Sequence, residues 1–311
     1  MPAKPSASAA AVLMMVAAAV LFGTTGTTQT FAPPEAGPLS VGAVRQAIGG
    51  TLLALIGLAA WVRRVGFRWP RWSRKLGWVL LGGSCVMAFQ ATFFFGTRAN
   101  GVAVGTVVAL GSSPLFAGLF EWLRGERPTR RWTAATAVAV VGLTLLAGLF
   151  GGAGPSVPLG LVASLVAGAA YAGYAVSAST LLRHGVDSLA ATSALLGVSG
   201  LIAAAVLPFT DNSWLAAPRG IAVAAWLGVI TVVVAYLLIG QALRHLSAAT
   251  AVTLGLAEPI TAACLGVLLL GETLTAPQWC GLAGVLVGLV IAGTGSRIPT
   301  AVPASVTDVA A

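Results

Sequence analysis

Glu258 and Pro259 are the neighbouring residues best suited to chemistry in this sequence, because both lie near the middle of the apolar stretch from Ala248 to Leu270. Proline has no N–H, so Pro259 cannot donate to the carbonyl of Gly255, and we expect an unpaired acceptor beside the carboxyl group. A carboxyl group in apolar surroundings can take up a proton or pair with a cation. The alternative is that Glu258 hydrogen-bonds to a neighbouring segment and contributes only to packing.

A cationic and an amide side chain, Arg45 and Gln90, also lie inside apolar stretches. Arg45 is five residues into its stretch, about 7.5 Å deep at 1.5 Å per residue, so its guanidinium can extend back to the end of the stretch. The alternatives are that Arg45 attracts an anionic group or pairs with Glu35 or Glu258. Gln90 lies midway along its stretch and must find a hydrogen-bonding partner or water.

Hydroxyl and aromatic side chains complete the candidate set. The stretch GTTGTTQT, residues 23–30, is unusually polar. Thr24 and Thr28 share one helix face, where they can line a cavity or bond back to carbonyls of their own helix. Four aromatic residues lie at depth and are candidates for the walls of an amphipathic pocket. They are Tyr171, Tyr174, Trp226 and Tyr236.

Three other glutamates, Glu121, Glu126 and Glu272, fall at the ends of apolar stretches. We expect them to be solvated or paired with Arg124, Arg127 or a loop, and not to take part in transport.

Metal and nucleophilic chemistry find little support in the sequence. The two histidines, His184 and His245, each follow an arginine, and Cys85, Cys264 and Cys280 lack the spacing of metal ligands. The phosphate-binding pattern GxxxxGK does not occur in the sequence. We therefore expect no cofactor and no metal, which makes an intramembrane enzyme the weaker alternative.

The elements that must position these side chains are membrane-spanning helices. Apolar residues make up 58% of the chain and charged residues 8%, and the mean hydropathy is +0.94. A soluble domain could not cover its surface with so few charges, whereas apolar runs of about 20 residues can cross a hydrocarbon core of about 30 Å. We predict an all-α integral membrane protein. Its ten transmembrane helices cover residues 9–31, 40–62, 76–97, 102–122, 132–150, 159–182, 189–209, 221–243, 248–270 and 277–293.

The basic residues predict the orientation, since cytoplasmic loops carry an excess of Lys and Arg. Arg98 and Arg219 fall on one side of the predicted topology, and Arg45 falls within a helix. All the others fall on the opposite side, so we expect both termini in the cytoplasm. They are Lys4, Arg63, Arg64, Arg68, Arg71, Arg74, Lys75, Arg124, Arg127, Arg130, Arg131, Arg183, Arg244 and Arg297.

The sequence also repeats itself. Arg98 precedes Glu126 by 28 residues, and Arg244 precedes Glu272 by 28 residues, with a glycine before each glutamate. Such spacing indicates two copies of one structural unit.

Each copy has a proline partway along a helix, Pro114 and Pro259, which we expect to interrupt that helix. Five helices per copy is an odd number, which inverts the second copy in the membrane. The predicted parts are a first repeat at 9–150, a linker at 151–158, a second repeat at 159–293 and a disordered cytoplasmic tail at 294–311.

The sequence resembles the drug/metabolite transporter superfamily, in particular its ten-helix members with two EamA-type domains. The resemblance extends from LFGTTG in the first helix, through AVRQAIGGTLLAL in the second, to the two stretches with proline and then Gly-Glu. It implies two inverted five-helix bundles, a solute path between them, and export or exchange of amino acids, related metabolites or amphipathic compounds. The first half departs from the family pattern at Ser112 and Ser113, where the second half has Glu258 and Pro259.

We therefore expect a secondary transporter of the cell membrane that works by alternating access. Its expected partners are a small-molecule substrate and the lipid bilayer, without nucleic acid. A non-transporting membrane subunit or regulator is the other alternative, because such a protein needs neither a polar cavity nor internal symmetry. The residues leave open the substrate, the coupling ion and the oligomeric state, including a homo-oligomer.

Overall fold

The computed structural model describes residues 7–65, 75–100, 102–147, 157–271 and 273–294, and these residues form a bundle of ten helices. The predicted ten-helix, all-α fold is confirmed. The helices are α1 (Ala7–Thr30), α2 (Pro38–Val65), α3 (Leu76–Asn100), α4 (Val102–Leu123), α5 (Arg130–Leu146), α6 (Pro158–Arg183), α7 (Ser188–Val206), α8 (Pro218–Ala242), α9 (in two segments, Ala248–Leu254 and Ala257–Leu270) and α10 (Ala276–Thr294).

Nine of the helices in the described ranges are long and apolar enough to cross a bilayer. The other, α5, has 17 residues, and residues 148–150 after it lie outside the described part of the chain. Outside it too lie residues 151–156 of the predicted linker, residues 295–311 of the predicted tail, and Glu272.

The two five-helix halves pack as inverted copies. The helix contacts are preserved when each helix is exchanged for its equivalent five places along the chain. Thus α3 packs on α6 as α8 packs on α1, α4 on α6 as α9 on α1, and α3 on α7 as α8 on α2. This exchange symmetry is what an inverted repeat requires.

The equivalent helices α1 and α6 run in opposite directions. α1 finishes where Gln29 and Arg98 line one cavity, which we call the mouth end of the bundle. α6 begins at this mouth end, because the Asn100 side chain donates to the carbonyl of Val157 (3.1 Å) and accepts from its N–H (2.6 Å).

The opposite end of the bundle, which we call the closed end, contains Arg131 and Thr294. Nε of Arg131 at the start of α5 donates to the carbonyl of Ile291 near the end of α10 (3.1 Å). A Cβ added to Gly293 would lie 3.2 Å from Cγ1 of Val12 in α1. The first and last described helices therefore begin and end on the same side, as an even number of spans requires.

Glycines allow the helices to approach closely. Within lipid no hydrophobic driving force brings helices together, so their association depends on such close packing. A Cβ on Gly142 of α5 would lie 2.5 Å from the backbone nitrogen of Val285 in α10. A Cβ on Gly288 would lie 2.7 Å from Cβ of Ala139. The α5–α10 contact therefore depends on small residues.

The glycine of each repeated Gly-Glu pair ends a helix. Gly125 follows α4 with φ of 88°, and Gly271 follows α9 with φ of 70°. Glycine adopts this left-handed conformation without the steric cost that other residues meet. The spacing that revealed the repeat therefore marks equivalent helix ends.

Pro114 does not interrupt α4, contrary to our expectation. α4 is continuous from Val102 to Leu123. Pro114 has no N–H for the carbonyl of Leu110, and the Ser113 hydroxyl donates to this carbonyl instead (2.7 Å). The adjacent serine thus replaces the hydrogen bond that the proline removes.

Pro259 does coincide with a break, which lies between the two segments of α9. The expected unpaired carbonyl is not found, because the Gly255 carbonyl accepts from the backbone N–H of Glu258 (3.0 Å). This tighter turn satisfies the backbone at the break without a side chain. The Glu258 carboxyl group remains available for other contacts.

α8 contains a π-helical stretch, Trp226–Val234, whereas its equivalent α3 is α-helical throughout. The Thr231 hydroxyl donates to the Leu227 carbonyl within this stretch (2.6 Å). The stretch packs on α2, where a Cβ on Gly228 would lie 3.4 Å from the carbonyl oxygen of Arg45. A π-helical stretch often marks a functional region, and this one lies directly behind a cavity residue.

Candidate functional site

A cavity of about 750 Å³ lies between the two halves. It extends from Tyr236 in the middle of the bundle to Arg98 and Pro38 at the mouth end. Most of its wall is apolar, with four phenylalanines, Phe22, Phe89, Phe93 and Phe94. Its polar lining groups are Thr25, Gln29, Arg45, Gln90, Thr97, Arg98, Thr106, Tyr171, Tyr236 and Glu258.

Glu258 and Arg45 line this cavity together, from different halves of the chain. Glu258 lies in the first turn of the second α9 segment, directly after the break, and the adjacent Pro259 also lines the cavity. The two charged groups are near enough to interact electrostatically but form no ion pair within 4.0 Å. Both opposite charges are therefore presented to the same cavity.

The Arg45 side chain is buried and does not extend to the surface. It lies seven residues after Pro38, about 10 Å into α2, and is 6% exposed. Its Nε has no hydrogen-bonding partner among the described residues. Arg45 does not pair with Glu35 or with any other described carboxylate.

Gln90, Tyr171 and Tyr236 bring three further polar groups to the cavity. Gln90 is 3% exposed and Tyr236 is 5% exposed, so each is enclosed by protein. A Cβ on Gly255 would lie 3.1 Å from the Tyr171 hydroxyl, which places this phenol at the α9 break. The side chains of all three make no hydrogen bond to a described residue, so they remain available to an occupant.

Tyr174 lies behind the cavity wall. Its ring packs edge-on against Tyr236, with the centroids 5.2 Å apart, and it is 2% exposed. Its hydroxyl has no partner among the described residues. The structure thus separates the two tyrosines of α6, with Tyr171 lining the cavity and Tyr174 supporting Tyr236.

The polar end of α1 contributes a different face from the one we predicted. Thr25 and Gln29 line the cavity, one residue along from Thr24 and Thr28. Thr24 donates to the Leu21 carbonyl (2.7 Å) and accepts from Nε1 of Trp226 (3.1 Å). Trp226 is 44% exposed on the outside of the bundle, so this contact ties α8 to α1 away from the cavity.

Pro114 and Ser113 are absent from the described cavity lining, and Ser113 is 1% exposed. The two prolines are therefore not equivalent in the structure. In the first half a serine repairs a continuous helix, whereas in the second half the helix breaks and places a carboxyl group in the cavity.

Sequence analysis missed the aromatic wall of α3. Phe93, Phe94 and Thr97 line the cavity with Gln90. They follow Gln90 by three, four and seven residues, which is the spacing of one helix face. Extending this face from Gln90 would have identified all three.

At the closed end, polar contacts join helices of different halves. The Glu121 carboxyl group of α4 accepts from the backbone N–H of Ala249 in α9 (2.9 Å), and Glu121 is 7% exposed. Arg124 donates to the Thr180 hydroxyl (2.6 Å) and covers the ring of Trp78. Of our alternatives for Glu121, solvation is wrong because the side chain is buried, and the observed partner is the backbone at the start of α9, directly after the α8–α9 loop.

Two further contacts lie at the closed end. Arg183 forms an exposed two-point ion pair with Glu126. Nε1 of Trp132 in α5 donates to the hydroxyl of the fully buried Thr253 in α9 (3.1 Å). The first α9 segment is thereby held from both sides and fills this end of the bundle.

The mouth end has its own connection between the halves. Ser40 at the start of α2 donates to Oδ1 of Asn212 (2.8 Å) and accepts from Nε1 of Trp214 (2.8 Å). Asp211 next to them accepts from the N–H of Ser213, which lowers the pKa of this exposed carboxyl group. These contacts fix the α7–α8 connection against α2 without covering the cavity.

The described residues contain no group of three His, Cys, Asp or Glu that could hold a metal ion. Cys264 and Cys280 are exposed on the outside of the bundle, and Cys85 is half-buried. What the cavity provides is a set of binding groups, with two guanidinium groups, a carboxyl group, two amides and two phenols against an aromatic wall.

Comparisons with known proteins agree with this architecture. The chain matches the model of the EamA-like transporter family over residues 9–148 and 158–294. It is 37% identical over 287 residues to the uncharacterized transporter YwfM of Bacillus subtilis (strain 168), across 92% of this chain and 94% of that protein. An uncharacterized transporter of Archaeoglobus fulgidus is 27% identical over 210 residues, 65% of this chain and 74% of that protein.

A solved crystal structure with 21% sequence identity has the same fold, with a TM-score of 0.74 over 92% of this chain and 97% of that chain. The family match covers both halves of the chain, and the two halves pack as inverted copies. The chain therefore belongs to the EamA-like transporter family of the drug/metabolite transporter superfamily.

Proposed function

We propose that this protein is a secondary transporter that exports or exchanges small metabolites across the cell membrane by alternating access. The observation that carries the proposal is a cavity whose described lining runs from the middle of the bundle to the mouth end and lies between two inverted halves. Inverted halves can exchange their conformations, which would close the mouth end and open the other end around the same central groups.

The orientation follows from the basic residues. Lys75, Arg124 and Arg183 lie at the closed end, whereas Arg98 and Arg219 lie at the mouth end. The excess of positive charge at the closed end supports a cytoplasmic position for this end and for both termini. The cavity then faces the outside, which is the state from which an exported solute leaves.

The closed-end contacts are the proposed inner gate. Glu121 and Ala249 belong to α4 and α9, which are equivalent helices of opposite halves. Arg124 and Thr180 likewise join α4 to α6. Opening toward the cytoplasm requires these helix ends to separate, and solvent can then replace the lost hydrogen bonds.

The properties of the cavity favour small amphipathic solutes as substrates, including amino acids and related compounds. A volume of about 750 Å³ is within the usual range of ligand sites. Arg45 and Glu258 offer charge, and the phenylalanine wall offers apolar surface. A solute with one polar head and an apolar body matches both parts.

Transport by purified protein in liposomes tests the proposal. Liposomes are loaded with a defined mixture of proteinogenic amino acids, small amines and organic acids, and mass spectrometry measures which solutes appear outside. Ala262 lines the cavity, so Ala262→Trp should fill part of it and lower the flux strongly. Leu268→Trp on the same helix is the matched control, because Leu268 is 77% exposed on the outside of the bundle.

Flux that is equal in wild type and Ala262→Trp would contradict a route through this cavity. Folded wild-type protein that moves no solute, yet purifies with a stoichiometric membrane partner, would favour the alternative of a non-transporting subunit.

A further inference from the structure

Arg45 is a buried cation whose partner is missing from the described chain. Its side chain is 6% exposed, its Nε lacks a hydrogen-bonding partner, and no described carboxylate lies within 4.0 Å. A buried guanidinium without a paired anion is costly, and natural proteins rarely leave one in that state. The cavity that Arg45 lines is the place from which a partner can come.

The charge around the cavity favours an anion as this partner. Arg45 and Arg98 are the lining cations, and Glu258 is the lining carboxyl group in the described part of the chain. The net charge of the lining is therefore positive whether Glu258 is ionised or not. Glu258 interacts electrostatically with Arg45 but forms no ion pair with it within 4.0 Å, so the Arg45 guanidinium has no directly bound anion among the described residues.

The guanidinium of Arg45 is suited to a carboxylate. Its planar fork of N–H groups matches the two oxygens of a carboxylate in a bidentate contact. Tyr236 interacts electrostatically with Arg45 and lines the same wall, so its phenol can donate to a carboxylate there. Glu258 faces the same space and can accept from an ammonium group beside the carboxylate.

We propose that the transported solute carries a carboxylate that Arg45 binds, and that Arg45 is the residue that selects carboxylate-bearing solutes. The inference rests on the proposed function and assigns the chemistry of its substrate. The apolar body of the solute lies against Phe89, Phe93 and Phe94, and Glu258 accounts for any preference for an added ammonium group.

Four probes with one phenylpropyl skeleton separate the two charges. L-Phenylalanine carries both charges, 3-phenylpropanoate only the carboxylate, L-phenylalaninamide only the ammonium, and 3-phenylpropanamide neither. Binding of each probe to the purified full-length protein in lipid nanodiscs is measured by titration calorimetry. Wild type should bind the two carboxylates about tenfold or more tightly than the matching amides, as expected for a charge-assisted pair.

Arg45→Gln should abolish this carboxylate preference, so that each acid and its amide bind within about threefold of one another. Arg45→Lys keeps the charge without the planar fork and should retain part of the preference, which separates loss of recognition from loss of folding. Glu258→Gln should change only the effect of the ammonium group. Arg219→Gln is the matched control, because Arg219 covers the ring of Phe31 outside the cavity.

A carboxylate preference that persists in Arg45→Gln would overturn the assignment, and so would a wild type that binds no probe or binds acids and amides alike. The liposome experiment keeps this result apart from the proposed function. Flux without a carboxylate preference overturns only the role of Arg45, whereas carboxylate binding without any flux overturns transport.

Discussion

Glu121 in α4 accepts a hydrogen bond from the backbone N–H of Ala249, the second residue of α9, across the boundary between the two halves (2.9 Å). A carboxyl group at a helix N-terminus is favoured by the unpaired N–H groups and by the helix dipole. Ser247 caps the same helix by accepting from the N–H of Thr250 (3.1 Å). The contact between Glu121 and Ala249 therefore holds the closed end of the proposed path. When this contact breaks, the helical hydrogen bonds of α9 are not lost.

Replacing Glu121 with Ala should favour opening of the closed end. A hydrogen bond to a charged group contributes about 1.5–3 kcal/mol, so opening should increase about 10- to 100-fold. The measurement is the rate at which a membrane-impermeant thiol reagent labels Ala251→Cys from the closed end. Ala251 is 2% exposed, and the background lacks Cys85, Cys264 and Cys280.

Two controls accompany this measurement. Glu121→Gln retains an oxygen that accepts from the Ala249 N–H and should label more slowly than Glu121→Ala. Glu126→Gln removes the exposed ion pair with Arg183 and should stay near the wild-type rate, because such pairs contribute little. If Ala251→Cys is labelled at the same rate with Glu121, with Glu121→Ala and with Glu121→Gln, then Glu121 does not hold the closed end shut.

Cysteine accessibility should distinguish the cavity from the interior of the bundle. Thr106 and Ala262 line the cavity, whereas Ser113 is 1% exposed and lies outside the described lining. In the background without native cysteines, Thr106→Cys and Ala262→Cys should react with an impermeant reagent added at the mouth end. Ser113→Cys should not react. Labelling of Ser113→Cys alone would place the path on a different face of α4.

The ten helices could be predicted because each is a long apolar run bounded by charge, proline or glycine, and these are local properties of the chain. The cavity face of α1 could not. Residues 23–30 are almost all polar, so polar side chains surround the helix and no stripe marks the side that faces the cavity. Packing against α9 decides this face, since a Cβ on Gly23 would lie 2.7 Å from the carbonyl oxygen of Glu258.

The different outcomes at the two prolines also depend on neighbours. Both were expected to interrupt their helices because proline removes one backbone donor. Ser113 supplies a hydroxyl at the residue before Pro114, while Glu258 occupies the residue before Pro259 and its carboxyl group lines the cavity. The π-helical stretch Trp226–Val234 likewise has no signal in the apolar pattern of α8.

Reporter fusions test the orientation. Fusions after Arg68, after Arg130 and at the C-terminus should report cytoplasm, because these positions lie in segments that contain the basic residues assigned to the cytoplasmic side. Fusions after Pro38 and Ala153 should report the outside. A cytoplasmic signal from Ala153 would contradict the proposed orientation, since α6 begins at the mouth end beside Asn100.

Glu258→Gln should remove the pH dependence of transport. The titratable groups of the described lining are Glu258, Arg45, Arg98, Tyr171 and Tyr236. Arginine and tyrosine ordinarily titrate at or above about pH 10, so Glu258 is the described lining group best suited to exchange a proton. Acidifying the mouth side by about two pH units should speed export by wild type if a proton enters as the solute leaves.

The Gln variant retains the hydrogen-bonding capacity of the side chain without its charge change, so its export rate should not respond to pH. Liposome flux at the two pH values, with matched protein amounts, gives the comparison. An unchanged pH response in the Gln variant would exclude Glu258 as the proton-binding group.

Ser113→Ala should destabilise the protein because it removes the hydrogen-bond donor of one backbone carbonyl. The Leu110 carbonyl accepts from the Ser113 hydroxyl at 2.7 Å because Pro114 has no N–H to offer. Ser113 is 1% exposed, so the carbonyl would be left without a partner at a cost of about 1–3 kcal/mol. Thermal unfolding of the purified protein in detergent, compared at matched lipid content, measures this loss.

A double-mutant cycle with Pro114→Ala isolates the cause. Alanine restores the N–H that reaches Leu110, so the further change Ser113→Ala should then cost much less than it does beside proline. Ser112→Ala is the matched control, because the Ser112 hydroxyl donates to the Ala109 carbonyl (3.2 Å), which already lies within the regular helix. Equal effects of Ser113→Ala with proline and with alanine at position 114 would mean that the hydroxyl does not replace the missing N–H.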